Sequence, residues 1–212
     1  MATRYTIHPD NPQMRLVDAV VDQLHRGAIM LYPTDTVYAI GCDINNKAGQ
    51  EKIRRIRNLP TDRPLTFVAA NISQISDYAR ISDSAYQIIR QLVPGPYTFL
   101  LPATKMVPNL VLNPKRKTTG IRVPDHAMCQ LLIAELGNPL ISMSAKLPEW
   151  KEPDTNEGLF EMFDPLVDMI IEVDAEYRSP YDDLLSTMID FTGEVPEITR
   201  EGLGIDFATR II

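Results

Sequence analysis

The sequence has little cysteine and no excess of positive charge. Two cysteines, Cys42 and Cys129, occur among 212 residues, which excludes a disulfide framework and a cysteine-rich zinc site. The formal net charge is −7. A basic groove over the whole surface is therefore excluded, and any nucleic-acid site must be a local patch.

Long apolar runs are also absent. No stretch approaches the roughly 20 apolar residues of a membrane-spanning helix. The opening residues, MATRYTIHPDNPQ, lack the apolar centre of a signal peptide. These absences predict a cytoplasmic protein that has no membrane partner.

The signatures of several enzyme classes are missing. The phosphate-binding patterns G-x-x-x-x-G-K-[ST] and G-x-G-x-x-G do not occur, and neither does the nucleophile turn G-x-S-x-G. The histidines His8, His25 and His126 are scattered without the spacing of metal ligands. The sequence therefore predicts neither a zinc hydrolase nor a serine hydrolase, and it assigns no metal ligand.

The pattern that is present alternates strands with helices. It predicts an α/β fold, a twisted open sheet flanked by helices, within one domain that spans residues 1–212. The segments 28–42 and 186–200 have the pattern of hairpins, so we expect a mixed sheet. The polar stretch 148–158 has no periodicity and is predicted to be a loop, with a lid over the site as its candidate role.

Local signals predict where two of the helices begin and end. Asn11 is the expected N-cap of the first helix, and Gly27 follows its end. Asp125 is the expected N-cap of the helix HAMCQLLIAEL, which Gly137 closes.

Hydroxyl and arginine side chains gather at the predicted strand ends, where ligands of open α/β sheets bind. Such residues often satisfy backbone groups instead, but several together form a good receiver for phosphate and carboxylate oxygens. These clusters are Thr34 and Thr36; Thr98; Thr118, Thr119 and Arg122; Ser142 and Ser144; Ser186 and Thr187; and Arg200.

Two segments, 52–64 and 113–122, are basic. Within them Arg57, Arg63 and Arg122 lie beside proline turns or strand ends, where anion binding and simple solvation are both open interpretations. The tetrapeptide PKRK is predicted to be a flexible loop suited to a triphosphate or an RNA backbone.

A series of motifs resembles the YrdC-like family in content and order. The resemblance covers roughly residues 13–204, and the segments IHPDNPQ and IRNLP are closer to the family's YciO branch. The motifs are YPTDTVYAIGCD, RPLTFV, PGPYTFLLPA, GIRVPDH, ISMSA, STMID and REG.

The resemblance implies an open-sheet fold that binds ATP, with Mg²⁺ accompanying the nucleotide, and structured or double-stranded RNA. In the family's enzymatic branch, threonine, bicarbonate and ATP give L-threonylcarbamoyladenylate, which feeds tRNA modification. Thr36 is then the candidate threonine-binding residue. The candidate nucleotide-binding residues are Arg57, Arg63, Thr118, Arg122, Ser142, Ser144, Lys146, Ser186 and Arg200.

Two motifs depart from the enzymatic branch. Its K-x-R pair aligns with Arg57-Asn58-Leu59, so one cation is replaced by an apolar residue. Its S-x-N motif aligns with Ser144-Ala145-Lys146, so an amide is replaced by a cation. Three functions therefore stay open: an L-threonylcarbamoyladenylate synthase, a non-catalytic nucleotide- or RNA-binding module, and an enzyme that adenylates another acid.

Overall fold

The computed structural model describes residues 1–8, 10–60, 63–148, 153, 155–173 and 185–212. Within them ten strands form one sheet, in the order β1-β8-β2-β3-β7-β4-β6-β5-β9-β10. The strands are β1 Thr3–Thr6, β2 Met30–Tyr32, β3 Ala39–Asp43, β4 Thr66–Val68, β5 Tyr97–Pro102, β6 Thr118–Arg122, β7 Leu140–Ser144, β8 Met169–Glu172, β9 Thr187–Asp190 and β10 Glu197–Arg200. The helices are α1 Met14–His25, α2 Lys47–Ile56, α3 Ile72–Tyr78, α4 Asp83–Leu92, α5 Ala127–Leu136, α6 Asn156–Phe163 and α7 Ile205–Ile211.

The sheet is mixed, as the hairpin patterns predict. β2 and β3 pair antiparallel, and so do β9 and β10. β4 and β6, like β5 and β9, are parallel neighbours. The predictions of an open mixed sheet and of both hairpins are confirmed, whereas the assignment of residues 1–212 to one domain stays a prediction.

Side chains alternate between the two faces of the sheet, as the strand period of two requires. One face is covered by the larger hydrophobic cluster, in which Phe67, Phe99, Ile121 and Ile189 pack with residues of α2, α3, α4, α6 and α7. The opposite face is covered by α1 and α5, whose buried residues pack on Met30, Tyr32 and strand β8.

The part of this second face that belongs to β4, β5, β6 and β7 carries small and polar residues. The register places Ser142, Thr66, Gly120 and Leu100 in one row across these four strands. The next row contains Val68, Arg122, Thr98, Met188 and Arg200. These two rows are the floor of the candidate site.

The predicted helix ends are partly wrong. α1 begins at Met14 after Gln13, so Asn11 is not its cap. α5 begins after His126, which makes no side-chain capping bond, and Asp125 does not cap it. Gly27 and Gly137 have positive φ angles of 93° and 73° just after α1 and α5, which confirms both predicted ends.

Of the loop predicted at 148–158, the structure describes residues 148, 153 and 155–158. Of its last residues, Thr155 caps α6 by accepting a bond from the backbone N–H of Gly158. Asn156 and Glu157 are helical, so the prediction of a loop up to 158 is wrong at this end. A lid role for the segment stays a prediction. In the described residues, no helix is both long and apolar enough to cross a membrane.

Candidate functional site

A pocket of about 420 Å³ lies over the floor rows of the sheet. Its position follows from the packing, because α1 and α5 cover the neighbouring strands and leave these rows open. All ten residues predicted from the sequence line it: Thr36, Arg57, Arg63, Thr118, Arg122, Ser142, Ser144, Lys146, Ser186 and Arg200.

Thr34, Thr36 and Arg122 line one end of the pocket, with Asp35 beside them but outside the lining; we call these four residues the turn end. The Thr34 hydroxyl donates to the carbonyl of Val37 at 2.7 Å and accepts the backbone N–H of Thr36 at 3.1 Å. Thr34 therefore satisfies the backbone of its own turn. Thr36 is 1% exposed, and its hydroxyl lies 3.1 Å from the hydroxyl of Thr34.

Arg122 is held by three partners from two segments of the chain. Its Nη1 donates to Thr36 Oγ1 at 2.8 Å, its Nη2 pairs with the Asp35 carboxylate, and its Nε donates to the carbonyl of Gly95 at 3.4 Å. The side chains of Arg122 and Asp35 are 11% and 10% exposed. A guanidinium bound through three nitrogens has a fixed plane, so Arg122 presents its remaining N–H groups in set directions.

Arg200 and two hydroxyls form the adjoining part of the floor. Arg200 Nη2 donates to Ser186 Oγ at 2.9 Å, and its Nε donates to the carbonyl of the same residue at 3.0 Å. The hydroxyls of Ser186 and Thr98 lie 2.8 Å apart. Burial, together with the charges of Arg122 and Arg63, lowers the pKa of Arg200. This lowering indicates a cation that lacks a compensating negative charge.

The opposite end, which we call the loop end, is formed by Arg57, Arg63, Arg116 and Lys146. This end lies near Thr118, at the start of β6. Thr118 and Arg122 are the two ends of that strand and lie about 13 Å apart at a rise of roughly 3.3 Å per residue. Arg57 Nη1 donates to the carbonyl of Lys146, which joins the segment after α2 to the segment after β7. Burial and the neighbouring charge of Arg63 lower the pKa of Arg57.

Acidic side chains are absent from the described pocket wall. The lining includes six cationic residues and no aspartate or glutamate. Of these cations, Arg122 pairs with Asp35 and Arg116 pairs with Asp190 at 2.8 Å. The described residues offer no carboxylate partner to Arg57, Arg63, Lys146 or Arg200. In a chain whose net charge is −7, this local excess of positive charge favours an anionic ligand.

The hydroxyl of Ser142 is oriented by a neighbouring tyrosine on the same face of the sheet. The hydroxyl of the fully buried Tyr32 donates to Ser142 Oγ at 2.7 Å. Burial, more than any other influence, raises the pKa of Tyr32, so its hydroxyl stays protonated. Because Ser142 accepts this proton, its own hydroxyl hydrogen is free to be donated into the pocket.

The structure also brings in residues that the sequence did not predict as site residues. Thr66, Asn113 and Arg116 line the pocket. The side chain of Asn113 accepts the backbone N–H groups of Lys115 and Arg116 at 3.1 and 3.0 Å, which shapes the PKRK loop into a turn. That turn directs Arg116 to Asp190. The PKRK motif was the available signal for Arg116, whereas Thr66 follows only from strand alternation.

Two other hydroxyls of the predicted clusters point away from the pocket floor, although Thr119 is among the residues that line the pocket. Thr187 is fully buried and donates to the carbonyl of Leu203 at 2.8 Å, so it joins β9 to the segment before α7. Thr119 alternates with Thr118 on β6 and so shares the face of the core residue Ile121.

The arrangement contains cations and hydroxyl donors but no activated nucleophile. Cys42 and Cys129 are fully buried, and burial raises the pKa of Cys42 to about 12. Among the described residues, no group of three or more histidine, cysteine, aspartate or glutamate side chains is placed to hold a metal ion. The chemistry that this site can perform is binding, orientation and electrostatic stabilisation of anionic groups.

Comparisons with known proteins agree with this geometry. The sequence profile of the Sua5/YciO/YrdC family, described as "Telomere recombination", matches residues 22–202. A protein of Escherichia coli K12 named "Uncharacterized protein YciO" is 39% identical over 96% of this chain and 97% of its own length. The threonylcarbamoyl-AMP synthase of Vibrio vulnificus YJ016 is 35% identical over 72% of this chain and 83% of its own length.

Solved structures confirm the fold. The crystal structure of E. coli YciO superposes with a TM-score of 0.86 over 96% of this chain and 97% of that one. P. abyssi Sua5 complexed with L-threonine gives a TM-score of 0.85 at 23% identity, covering 100% of this chain and 60% of that one. The resemblance found in the motifs is thus confirmed: the chain belongs to the Sua5/YciO/YrdC family, is similar to YciO over nearly its whole length, and is related to the threonylcarbamoyl-AMP synthases.

Proposed function

We propose that the pocket binds ATP and transfers its adenylyl group to a carbamoylated amino acid, with L-threonylcarbamoyladenylate as the product. The observation that carries this proposal is the pocket wall, which has six cations and no described acidic residue within an acidic chain. The kinship with threonylcarbamoyl-AMP synthases supports the identity of the product.

The reaction needs little covalent help from the protein. The amine of threonine adds to CO₂ derived from bicarbonate and loses a proton, which gives a carbamate. A carbamate oxygen then attacks the α-phosphorus of ATP in line. The bond from that phosphorus to the bridging oxygen breaks, and pyrophosphate leaves. Positioning and cations on the phosphate oxygens lower the barrier of such a step, and Mg²⁺ enters as part of the Mg·ATP substrate.

The two ends of the pocket suit the two substrates. The loop end offers Arg57, Arg63 and Lys146 to the phosphates, without a described carboxylate that would compete. The turn end offers Thr36 to the amino acid, and it offers the oriented Arg122 to the α-phosphate that the carbamate attacks. Ser142 and Ser186 add hydroxyl donors between them.

Leu59 favours a second candidate, a pocket that binds a nucleotide without adenylating anything. This residue, which stands at the second cation of the K-x-R motif, packs against the hydrophobic core. It is not among the residues that line the pocket, whereas Lys146 is. One cation of the motif has therefore become a core contact, and one cation, Lys146, has been added at the loop end beside Arg57.

A pyrophosphate-release assay separates the two candidates. Purified protein would receive Mg·ATP, bicarbonate and threonine, with each component omitted in turn, and the adenylate would be identified by mass. Release that needs all components supports the synthase, whereas ATP binding without release selects the binding module. Release with another amino or carboxylic acid, but not with threonine, would assign the pocket to a different adenylating enzyme.

Structured RNA, tRNA in particular, is the macromolecular partner that we propose. Lys115, Arg116 and Lys117 form an exposed basic rim beside the loop end, and the described residues give neither lysine an ion pair. Such a local rim can contact phosphates of an RNA backbone although the chain as a whole is acidic.

A further inference from the structure

Asp35 is an unexpected residue beside an anion-binding pocket. It is a carboxylate whose side chain is only 10% exposed. One of its oxygens, Oδ1, pairs with Arg122, and the other, Oδ2, accepts the backbone N–H of Asp125 at 2.9 Å. Asp35 therefore ties the turn between β2 and β3 to the turn between β6 and α5.

A negative charge at this position weakens the attraction of the pocket for an anion, because it offsets the charge of Arg122. Arg116 is paired with Asp190, but the remaining cations of the pocket have no such partner among the described residues. A carboxylate that reduces the attraction at Arg122 must contribute something other than attraction.

The contribution is visible in the contacts of Arg122. Its plane is fixed by Gly95 on one side and by the adjacent residues Asp35 and Thr36 on the other, so two separate segments hold it. Nη1 and Nη2 each carry a second N–H that these contacts do not use. Without Asp35, the contacts to Thr36 and Gly95 remain, but the latter is long, at 3.4 Å, and the guanidinium gains freedom to turn.

The geometry points to Asp35 as a positioning residue, which holds the plane of Arg122 so that two of its N–H groups face a ligand on the pocket floor. This inference rests on the proposed function, since the ligand is taken to be ATP or the adenylate formed from it. Asp35 itself acts through Arg122.

The sign of one affinity change separates this role from two simpler ones. If Asp35 contributed only charge, Asp35→Asn would tighten ATP binding, because it removes a negative charge near the phosphates. If Asp35 were only a structural link, the variant would lower the melting temperature and leave ATP affinity unchanged. As a positioning residue it is expected to weaken ATP binding about tenfold, as for a lost charge-assisted hydrogen bond.

Asp168 offers a matched control far from the pocket. Its Oδ2 accepts the backbone N–H of Ile29 at 2.8 Å, and its Oδ1 lies 3.6 Å from Lys52 Nζ. It thus joins a backbone N–H to a cation, as Asp35 does. Asp168→Asn is expected to change ATP affinity less than twofold while lowering the melting temperature.

The decisive experiment is a double-mutant cycle on ATP affinity, measured by calorimetry for the wild type, Asp35→Asn, Arg122→Lys and the double variant. Lysine lacks the planar fork that Asp35 would orient, so adding Asp35→Asn to Arg122→Lys is expected to weaken binding no further. Additive losses, or tighter binding by Asp35→Asn, would overturn the proposal.

The same measurements distinguish a failure of this inference from a failure of the proposed function. If the wild type binds ATP but releases no pyrophosphate, the adenylation proposal fails, and the cycle still decides the role of Asp35. If the wild type binds no ATP, both proposals are overturned.

Discussion

The turn end and the loop end of the pocket both present arginine, but they compensate its charge in different ways. Arg122 at the turn end has a carboxylate, a hydroxyl and a carbonyl as partners. Arg57 at the loop end donates to the carbonyl of Lys146. Burial lowers the pKa of Arg57, and the nearby charge of Arg63 lowers it further. The charge of Arg122 is compensated within the protein, whereas Arg57 and Arg63 have no carboxylate partner among the described residues. The comparison teaches that one pocket can combine a preformed part with an electrostatically incomplete part.

The largest expected effect comes from removing Arg122. Arg122→Ala leaves Asp35 largely buried without a cation, which is expected to lower the free energy of unfolding by about 3 kcal/mol. Urea unfolding measures this loss, and ATP binding should weaken as well. Equal stability of Arg122→Ala and the wild type would show that the turn end is not preformed by this pair.

Removing a cation from the loop end should weaken ATP binding without lowering the stability of the fold. Arg63→Gln is expected to weaken ATP binding about fivefold, because a cation without a described partner is lost from the phosphate end. It should leave the melting temperature unchanged, since Arg63 is exposed and its side chain forms no ion pair with the described residues.

Arg55→Gln is the control for that variant. Arg55 is also exposed and basic but does not line the pocket, so its removal should leave ATP affinity unchanged. Equal effects of the two variants on ATP binding would remove Arg63 from the site and reduce the difference between the two ends.

A smaller effect is expected for RNA binding at the basic rim, and it is measured as the dependence of affinity on salt concentration. Affinity for tRNA should fall steeply as salt rises, and Lys115→Gln and Lys117→Gln should each reduce the slope against log salt by about 1. Filter binding or fluorescence anisotropy over a salt series measures the slope. A flat response of the wild type would argue against phosphate contacts at this rim.

The smallest effect concerns Asp190, the counterpart of Asp35 at the loop end. Burial alone would raise the pKa of Asp190, but hydrogen bonds from Thr192 and Arg116 outweigh it and lower that pKa. A carboxyl whose pKa is lowered by folding stabilises the fold above its unfolded pKa, about 4, and this contribution is lost as pH falls through the lower folded value.

Asp190→Asn should therefore lower the melting temperature slightly at pH 7, and the difference from the wild type should shrink as pH falls through the lowered folded-state pKa. Thermal unfolding over a pH series measures it. A loss as large as that of Arg122→Ala would mean that the two carboxylate–arginine pairs are equivalent, which would break the comparison.

The sequence predicted the hairpins and the open mixed sheet because period-two apolar runs and turn residues are local signals. It missed α3, which is seven residues long and buries only Ile75. It misplaced the caps of α1 and α5, because Asp125 and its neighbours are positioned by contacts with a distant turn. Such tertiary contacts override local capping preference.

The site residues were predictable because strand ends with hydroxyls and arginines meet on one face of the sheet. What the sequence does not determine is side-chain direction. Leu59 turns into the core, Thr119 faces away from Thr118, and Arg116 is drawn to Asp190 across 74 residues of chain. Each outcome depends on packing between segments that are far apart in the sequence.

The open rows of the sheet have a consequence for how this protein can diverge from its relatives. The floor of the pocket is made of strand interiors, where Gly120 leaves no room for a larger residue, since an added Cβ would lie 2.7 Å from the side chain of Thr66. Lys146 instead lies in a segment outside the strands, where a cation can be gained or lost without disturbing the hydrogen bonds of the sheet. The charge of the pocket wall can therefore change by replacement in such segments alone, while the packing of the strand floor stays the same.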